Sequence, residues 1–305
     1  MKPVFFTDFD RTMIFSNRFA DENIESTCVE YKEGRAMSFM TGNAIALLEE
    51  VKQSVIFIPV TTRTWELITR VNFINTDMPE WLVCSNGGRI YHNGERSQEW
   101  DAIMQQEREN HPYSIQEIKT SLQTKLKKGS IKKMLIYENS YLMIKFKKIK
   151  PNIKKKLDKV NKSLLQKGYR IEISSNKAYI IPDFIRKERA VAYLIEKLKT
   201  DVTISAGDSI MDVGMLALTD YAIAPKHKTF EDDFMQITMN KGLAAGEEIL
   251  HYVKHLSTTE IEEETKIVRQ IYGDRLIEDG EALSGEELFN AALETVKKIS
   301  KHCND

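Results

Sequence analysis

The chain reads as short, unbroken apolar runs separated by stretches in which apolar residues recur every three or four positions. Unbroken runs mark strands buried on both faces, and the longer period marks helices. Residues 3–6, Pro-Val-Phe-Phe, form the first run. Residues 16–35 are polar without a clear period and are expected to form a loop or short insertion. Ala44, Ile45, Leu47, Leu48 and Val51 then recur at helical spacing behind Thr41 and Asn43 as cap candidates. Residues 54–60 read as a second buried strand, 65–73 as a helix, and 82–84 as a third strand that runs into the turn signal Ser85-Asn86-Gly87-Gly88. Strand and helix in alternation predict a parallel sheet.

That alternation stops near Ile90. Residues 114–128 and 152–166 read as helices, each followed by two β-rich runs: 131–137 and 141–146, then 169–173 and 178–181. The order αββαββ predicts two helices backing one antiparallel sheet, an α+β module inserted into the first domain. The βα pattern resumes at Lys187, with a helix to about residue 199, strands at 202–206 and 220–225, and a helix at 245–256. The expected fold class is therefore α/β, a Rossmann-like parallel-sheet core with an inserted α+β domain. The core would comprise residues 1–89 and 184–257 and the insert residues 90–183. Residues 258–305 form an acidic extension, with a last helix near 284–301, expected to pack on the core.

Composition sharpens this picture in three places. At 305 residues with 42% hydrophobic and 29% charged positions, the chain has the make-up of a globular protein of two ordinary domains. Its 44 basic and 45 acidic residues leave a net charge of −1, yet residues 119–177 hold seventeen lysines and Arg170 against Glu138, Asp158 and Glu172. Most of these lysines belong on solvated faces, but a basic field suits anionic substrates. No nucleic-acid motif accompanies it, so no nucleic-acid partner is expected. Cys28, Cys84 and Cys303 are odd in number and show no ligand spacing, no apolar run has the length of a membrane span, and no signal-peptide pattern opens the chain. The expectation is a cytoplasmic protein without a membrane partner; oligomeric state leaves no sequence signal. His92, His111 and His227 form no ligand pattern and are expected at the surface or in incidental roles.

Candidate chemistry sits where strands end. Asp8 and Asp10 follow the first run directly, with Thr12 close behind; Thr61 follows the second; Lys187 opens a helix; Asp208 and Asp212 follow the strand at 202–206. In a parallel sheet these loops open on one edge, so the residues could converge. Singly, each reads as readily as a turn, a cap or a surface group. Together they supply a carboxylate nucleophile, a proton carrier, a hydroxyl donor, a fixed cation and acidic oxygens for a hard metal such as Mg²⁺. That set suits phosphoryl transfer, which is largely positioning and charge stabilisation.

Here the chain resembles the haloacid dehalogenase (HAD) superfamily of phosphohydrolases. Asp8-Phe9-Asp10-Arg11-Thr12 matches the first motif, D-x-D-x-T, and Val60-Thr61-Thr62-Arg63 is similar to the second. Lys187 matches the third and Gly207-Asp208-Ser209-Ile210-Met211-Asp212 the fourth, over roughly residues 2–256. The inserted module resembles the C2B-type cap of Cof-type and other sugar phosphatases. The resemblance implies Asp8 as nucleophile through an aspartyl-phosphate, Asp10 as acid and base, and Thr61, Lys187 and Thr12 around the phosphate. It implies Mg²⁺ on Asp8, Asp10 through its backbone carbonyl, and Asp208, with Asp212 supporting the metal's shell. Asn86 would border the site, and Arg63 would pin loops, pair with a carboxylate or touch substrate. Thr62 and Met211 stand where the family usually has Gly and Asn. The activity implied is a Mg²⁺-dependent phosphatase for a small phosphorylated metabolite, expected to be a sugar phosphate. A phosphosugar mutase and a catalytically weak binding or regulatory protein are the alternatives.

Overall fold

In the computed structural model, which describes residues 2–19, 24–126, 128–174, 176–231 and 234–258, the strand Val4–Thr7 lies inside a five-stranded parallel sheet. The order across the sheet is Gln236–Ile237, Tyr221–Ala224, Thr203–Ala206, Val4–Thr7 and Ile56–Pro59. Val4, Phe5, Phe6 and Thr7 are all fully buried, as a strand covered on both faces requires. Helices Gly42–Ser54 and Leu243–Thr258 pack on each other, and their Leu48, Val51, Ile249, Leu250 and Val253 join Phe5 and Phe57 in one core. Thr41 caps the first of these helices by accepting from the Ala44 N–H at 2.9 Å.

Two of the expected elements take a different form. Among the described residues of the segment expected as a loop or short insertion, strands form: Phe15–Ser16, Ser26–Lys32 and Arg35–Thr41 make a three-stranded antiparallel sheet, the last two joined at a tight turn with Glu33 and Gly34 at φ +50° and +74°. A bulge between Cys28 and Glu30 breaks the alternation and turns the neighbours Val29 and Glu30 both inward, which hides the strand from any period-two reading. The expected helix at 65–73 is instead two short ones, Trp65–Ile68 and Asn72–Thr76. Val71 pairs with Glu30 in an antiparallel bridge and so leaves the helical path. The strand Trp81–Cys84 pairs with Arg89–His92 and meets the parallel sheet through the bridge Val60 to Val83.

The chain divides into two compact units. Of the described residues, one holds those up to 87, 91–95 and 187–258; the other holds those at 88–90 and 96–186. In the second unit the sheet order is Tyr169–Ser174, Lys177–Pro182, Tyr141–Phe146 and Ile131–Tyr137, antiparallel throughout. Helices Ile115–Lys125 and Pro151–Leu165 cover one face, where Ile118, Leu122, Leu157 and Leu164 meet Leu142, Ile144, Phe146 and Ile180. Ser114 and Glu117 form a reciprocal capping box at the first of them. A further helix, Gln98–Asn110, was not expected; Ser97 caps it, and only Trp100 and Met104 are buried on it, too thin an apolar stripe to stand out. The expected acidic extension lies outside the described residues beyond position 258. Among the described residues no helix is long and apolar enough to cross a membrane.

Candidate active site

Strand register sets the site. Thr7 lies beside Pro59 on one side and Ala206 on the other, so the residues that follow all three strands emerge at one level. Asp8 N–H donates to the Ala206 carbonyl at 2.8 Å, and Val60 N–H to the Thr7 carbonyl at 2.7 Å. This brings Asp8, Thr61 and Asp208 to one edge of the sheet, the carboxyl end where open α/β sheets hold ligands.

The centre is a buried chain of charge. Lys187 Nζ lies 2.5 Å from Asp8 Oδ1 and 2.6 Å from Asp212 Oδ1, with the lysine 1% exposed. Thr12 Oγ1 donates to Asp8 Oδ2 at 3.2 Å. Burial would push the Lys187 ammonium down, but Asp212 and then Asp8 outweigh it and hold it above its usual value. Burial raises the Asp8 carboxyl to about 7; Lys187 opposes the rise and Asp212 adds to it. Asp208 is pushed up to about 8 by burial, then by Asp8 and Asp212, against the pull of Arg11 and Lys187. Three carboxylates thus share one ammonium and, at Asp208, the Arg11 guanidinium, an arrangement that leaves an excess of negative charge for a further cation.

The donor set fits a hard divalent ion. Oxygens of Asp8, Asp208 and Asp212 lie within 4.8 Å of one another, all on buried residues. Asp208 Oδ2 is buried with no hydrogen bond among the described residues. Asp212 is engaged differently. Its Oδ2 accepts from the N–H groups of Asp208 and Ser209 at 3.2 and 2.9 Å and from Ser209 Oγ at 2.7 Å, while its Oδ1 takes Lys187. It shapes the loop that presents Asp208. Thr229 N–H anchors the Asp208 carbonyl from the other side at 2.8 Å.

Asp10 is half exposed and tied at both oxygens by Arg63, Nη2 to Oδ1 and Nε to Oδ2, each at 2.7 Å. Of the uses expected for Arg63, the structure displays the pairing with a carboxylate. Arg63 Nη2 also reaches Glu30 Oε2 at 3.0 Å, and Glu30 is buried on the bulged strand, where Ser38 Oγ donates to it at 2.6 Å. Thr61 is buried; its Oγ1 accepts from the Arg63 N–H at 3.1 Å, and its carbonyl accepts from the Asn86 N–H at 2.9 Å. Ser85, Asn86 and Gly87 are consecutive residues at positive φ, in a turn that packs beside the helix Lys187–Leu198. Asn86 Oδ1 is buried there without a hydrogen bond among the described residues.

Three residues at this edge escaped the sequence reading. Glu30 sits in the segment expected to be a loop, and no local spacing links it to Asp10. Arg11 occupies the variable position of its motif, yet its Nε lies 3.3 Å from Asp208 Oδ2. His227, expected at the surface or incidental, is half-buried beside Arg11: its Nε2 lies 2.9 Å from the Arg11 carbonyl and its ring packs on Phe15 and Phe19. His92 stacks on Trp81, and His111 lies near the carbonyls of Tyr113 and Gly168, both away from these carboxylates' contacts.

Solved structures share the fold at low identity. The sucrose-phosphatase from Synechocystis sp. PCC6803, in complex with sucrose and phosphate, has a TM-score of 0.58 at 13% identity and covers 83% of this chain and 98% of its own. The C-terminal domain of trehalose-6-phosphate phosphatase from C. albicans scores 0.55 at 12% identity, covering 84% and 93%. A haloacid dehalogenase-like hydrolase from Bacillus subtilis scores 0.51 at 18% identity, covering 84% and 92%. No curated protein matches the chain by sequence. The family model of sucrose-6F-phosphate phosphohydrolase does match, over residues 1–228 of the 305. The chain therefore belongs to the sucrose-6F-phosphate phosphohydrolase family of the HAD superfamily, and is a hydrolase of phosphate monoesters.

Proposed function

We propose that this protein is a Mg²⁺-dependent phosphatase of a small sugar phosphate, working through an aspartyl-phosphate on Asp8. The observation that carries the reading is the buried chain Asp8–Lys187–Asp212 beside Asp208, at the edge of the sheet where Asp10 and Thr61 also emerge. Lys187 opposes the burial that favours protonation of Asp8, and Thr12 fixes the carboxylate's orientation through Oδ2. One Asp8 oxygen attacks phosphorus and the bond from phosphorus to the sugar oxygen breaks. Asp10 gives its proton to the departing oxygen, then takes one from the water that attacks phosphorus and releases Asp8 and phosphate. Thr61 Oγ1 uses a lone pair on the Arg63 N–H, so its own O–H can donate to a phosphoryl oxygen. Lys187 supplies a fixed positive charge to the same group.

Asp8, the Asp10 carbonyl and Asp208 would hold Mg²⁺, with Asp212 holding the loop. The ion would neutralise phosphoryl charge that the carboxylates alone would repel. Arg63 engages both Asp10 oxygens in the pair described above, so Asp10 reaches the leaving group only as that pair opens. Asn86, whose buried Oδ1 makes no hydrogen bond among the described residues and lies beside the lysine's helix, would border the substrate. In the inserted unit Lys145 lies in register between Lys133 and Lys177, all exposed, and such like charges across strands disfavour the sheet unless an anion is nearby. That basic face supports an anionic substrate. The sugar itself is proposed from the family: its model is that of a sucrose phosphate hydrolase, and two fold relatives are a sucrose and a trehalose phosphate phosphatase.

Hydrolysis of para-nitrophenyl phosphate and of sucrose 6-phosphate, with Mg²⁺, with EDTA and with Asp8→Asn, tests the proposal. Turnover that needs Mg²⁺ and vanishes in Asp8→Asn supports it. Turnover that survives Asp8→Asn would exclude Asp8 as the nucleophile.

A further inference from the structure

Arg11 has φ +72°, a backbone conformation that disfavours any residue bearing a Cβ. Neighbours hold it there. Its N–H donates to the Ile14 carbonyl at 2.8 Å, and its carbonyl lies 2.9 Å from His227 Nε2. His227 Nδ1 accepts from the Gly242 N–H at 3.3 Å, so the ring proton sits on Nε2 and donates to Arg11. The Arg11 side chain returns the contact: Nη2 donates to the His227 carbonyl at 3.3 Å, and its Cζ lies 5.3 Å from the centre of the Phe19 ring. The outcome of this bracing is one placement, Arg11 Nε at 3.3 Å from Asp208 Oδ2.

That contact is an incomplete ion pair. Neither Arg11 Nε nor Asp208 Oδ2 makes a hydrogen bond among the described residues, although both atoms are buried. Arg63 and Asp10 meet in two aligned bonds of 2.7 Å; Arg11 and Asp208 share charge without alignment. A carboxylate oxygen left without a hydrogen bond is open to a metal, and the guanidinium beside it repels one.

We propose that Arg11 is a built-in competitor of the divalent cation at Asp208. It is a positioning residue that compensates the carboxylate until the cation arrives and lowers the site's affinity for that cation. The Arg11 side chain is 36% exposed, so it can withdraw towards solvent as the ion enters. This inference rests on the reading of Asp8 and Asp208 as cation ligands.

The test is Mn²⁺ binding to the full chain without substrate, followed by the electron paramagnetic resonance of unbound Mn²⁺ at alkaline pH. Arg11→Asn removes the charge with a residue that tolerates positive φ, and Arg11→Gly removes it with one that favours it. Both are expected to bind Mn²⁺ at least roughly tenfold more tightly than wild type, as loss of a nearby unit charge in a poorly screened site requires. Arg11→Lys, which keeps the charge, is expected to stay within about threefold of wild type. Unchanged or weaker binding in Arg11→Asn and Arg11→Gly, with wild-type binding lost in Asp208→Asn, overturns the competitor role alone. Binding that survives Asp208→Asn overturns the cation reading beneath it.

Discussion

Arg63 bridges two carboxylates of unequal burial, and its replacement should be felt through the hidden one. Its Nη2 lies 2.7 Å from Asp10 Oδ1 and 3.0 Å from Glu30 Oε2. Asp10 is half exposed, so that pair contributes no more than about 1 kcal/mol. Glu30 is 4% exposed and, without Arg63, keeps Ser38 Oγ at 2.6 Å and the more distant Arg70 Nη2 at 3.6 Å. Removing one partner of a buried pair costs about 3–5 kcal/mol because it strands the other charge. Arg70 offsets part of this, which places Arg63→Met at about 3 kcal/mol. Glu30→Gln retains an acceptor for Ser38 and leaves Arg63 paired with Asp10, so it should cost about 1–2 kcal/mol. In the double variant no buried charge is stranded, and the loss should fall short of the sum by at least about 1 kcal/mol. Urea unfolding followed by tryptophan fluorescence in a Trp100→Phe background reads the core unit, where Trp65 and Trp81 lie. A coupling below about 0.5 kcal/mol, or an Arg63→Met no worse than Glu30→Gln, would refute the claim that Glu30 depends on Arg63.

Other perturbations probe the centre. Thr12→Val deletes the hydroxyl that donates to Asp8 at 3.2 Å; kcat should fall roughly tenfold or more while the circular dichroism spectrum is unchanged, and full activity would dismiss the bond. Gly207→Ala would drive a methyl into Asp212 Cβ and to 2.7 Å from its Cγ, so it should cost about 1–3 kcal/mol in urea and weaken Mg²⁺ binding. Gly42→Ala, with nothing within 4 Å of the added carbon, should be neutral or slightly stabilising in the same assay. Mg²⁺ at a hundred times its dissociation constant should stabilise the folded chain by about 2.7 kcal/mol, reversed by EDTA and absent in Asp208→Asn. Equal thermal midpoints with and without Mg²⁺ would contradict a cation site.

The division between what the residues reveal along the chain and what they conceal follows from distance in sequence. Asp8, Thr61 and Asp208 can be picked out because each is the polar residue just past a buried run, and parallel register then aligns them. The αββαββ insert is readable because its helices and strands keep clean periods against one core. The residues that balance the carboxylates obey no such local rule. Arg63 is 53 positions from Asp10 and 33 from Glu30, and Lys187 is 179 from Asp8. Lys187 and Arg63 each stand in a motif, but neither motif names the carboxylate that its cation meets. Glu30 looked like loop because its bulge spoils the alternation, and His227 looked incidental because its partner is a backbone carbonyl, which no residue pattern records. Arg11 is the sharpest case: its positive φ would suit a glycine, and the arginine there is braced by the Ile14 carbonyl and by His227. A charged side chain kept in a strained position beside a candidate metal ligand is better explained by what it does to that ligand than by packing, since its guanidinium is part exposed and its Nε makes no hydrogen bond among the described residues.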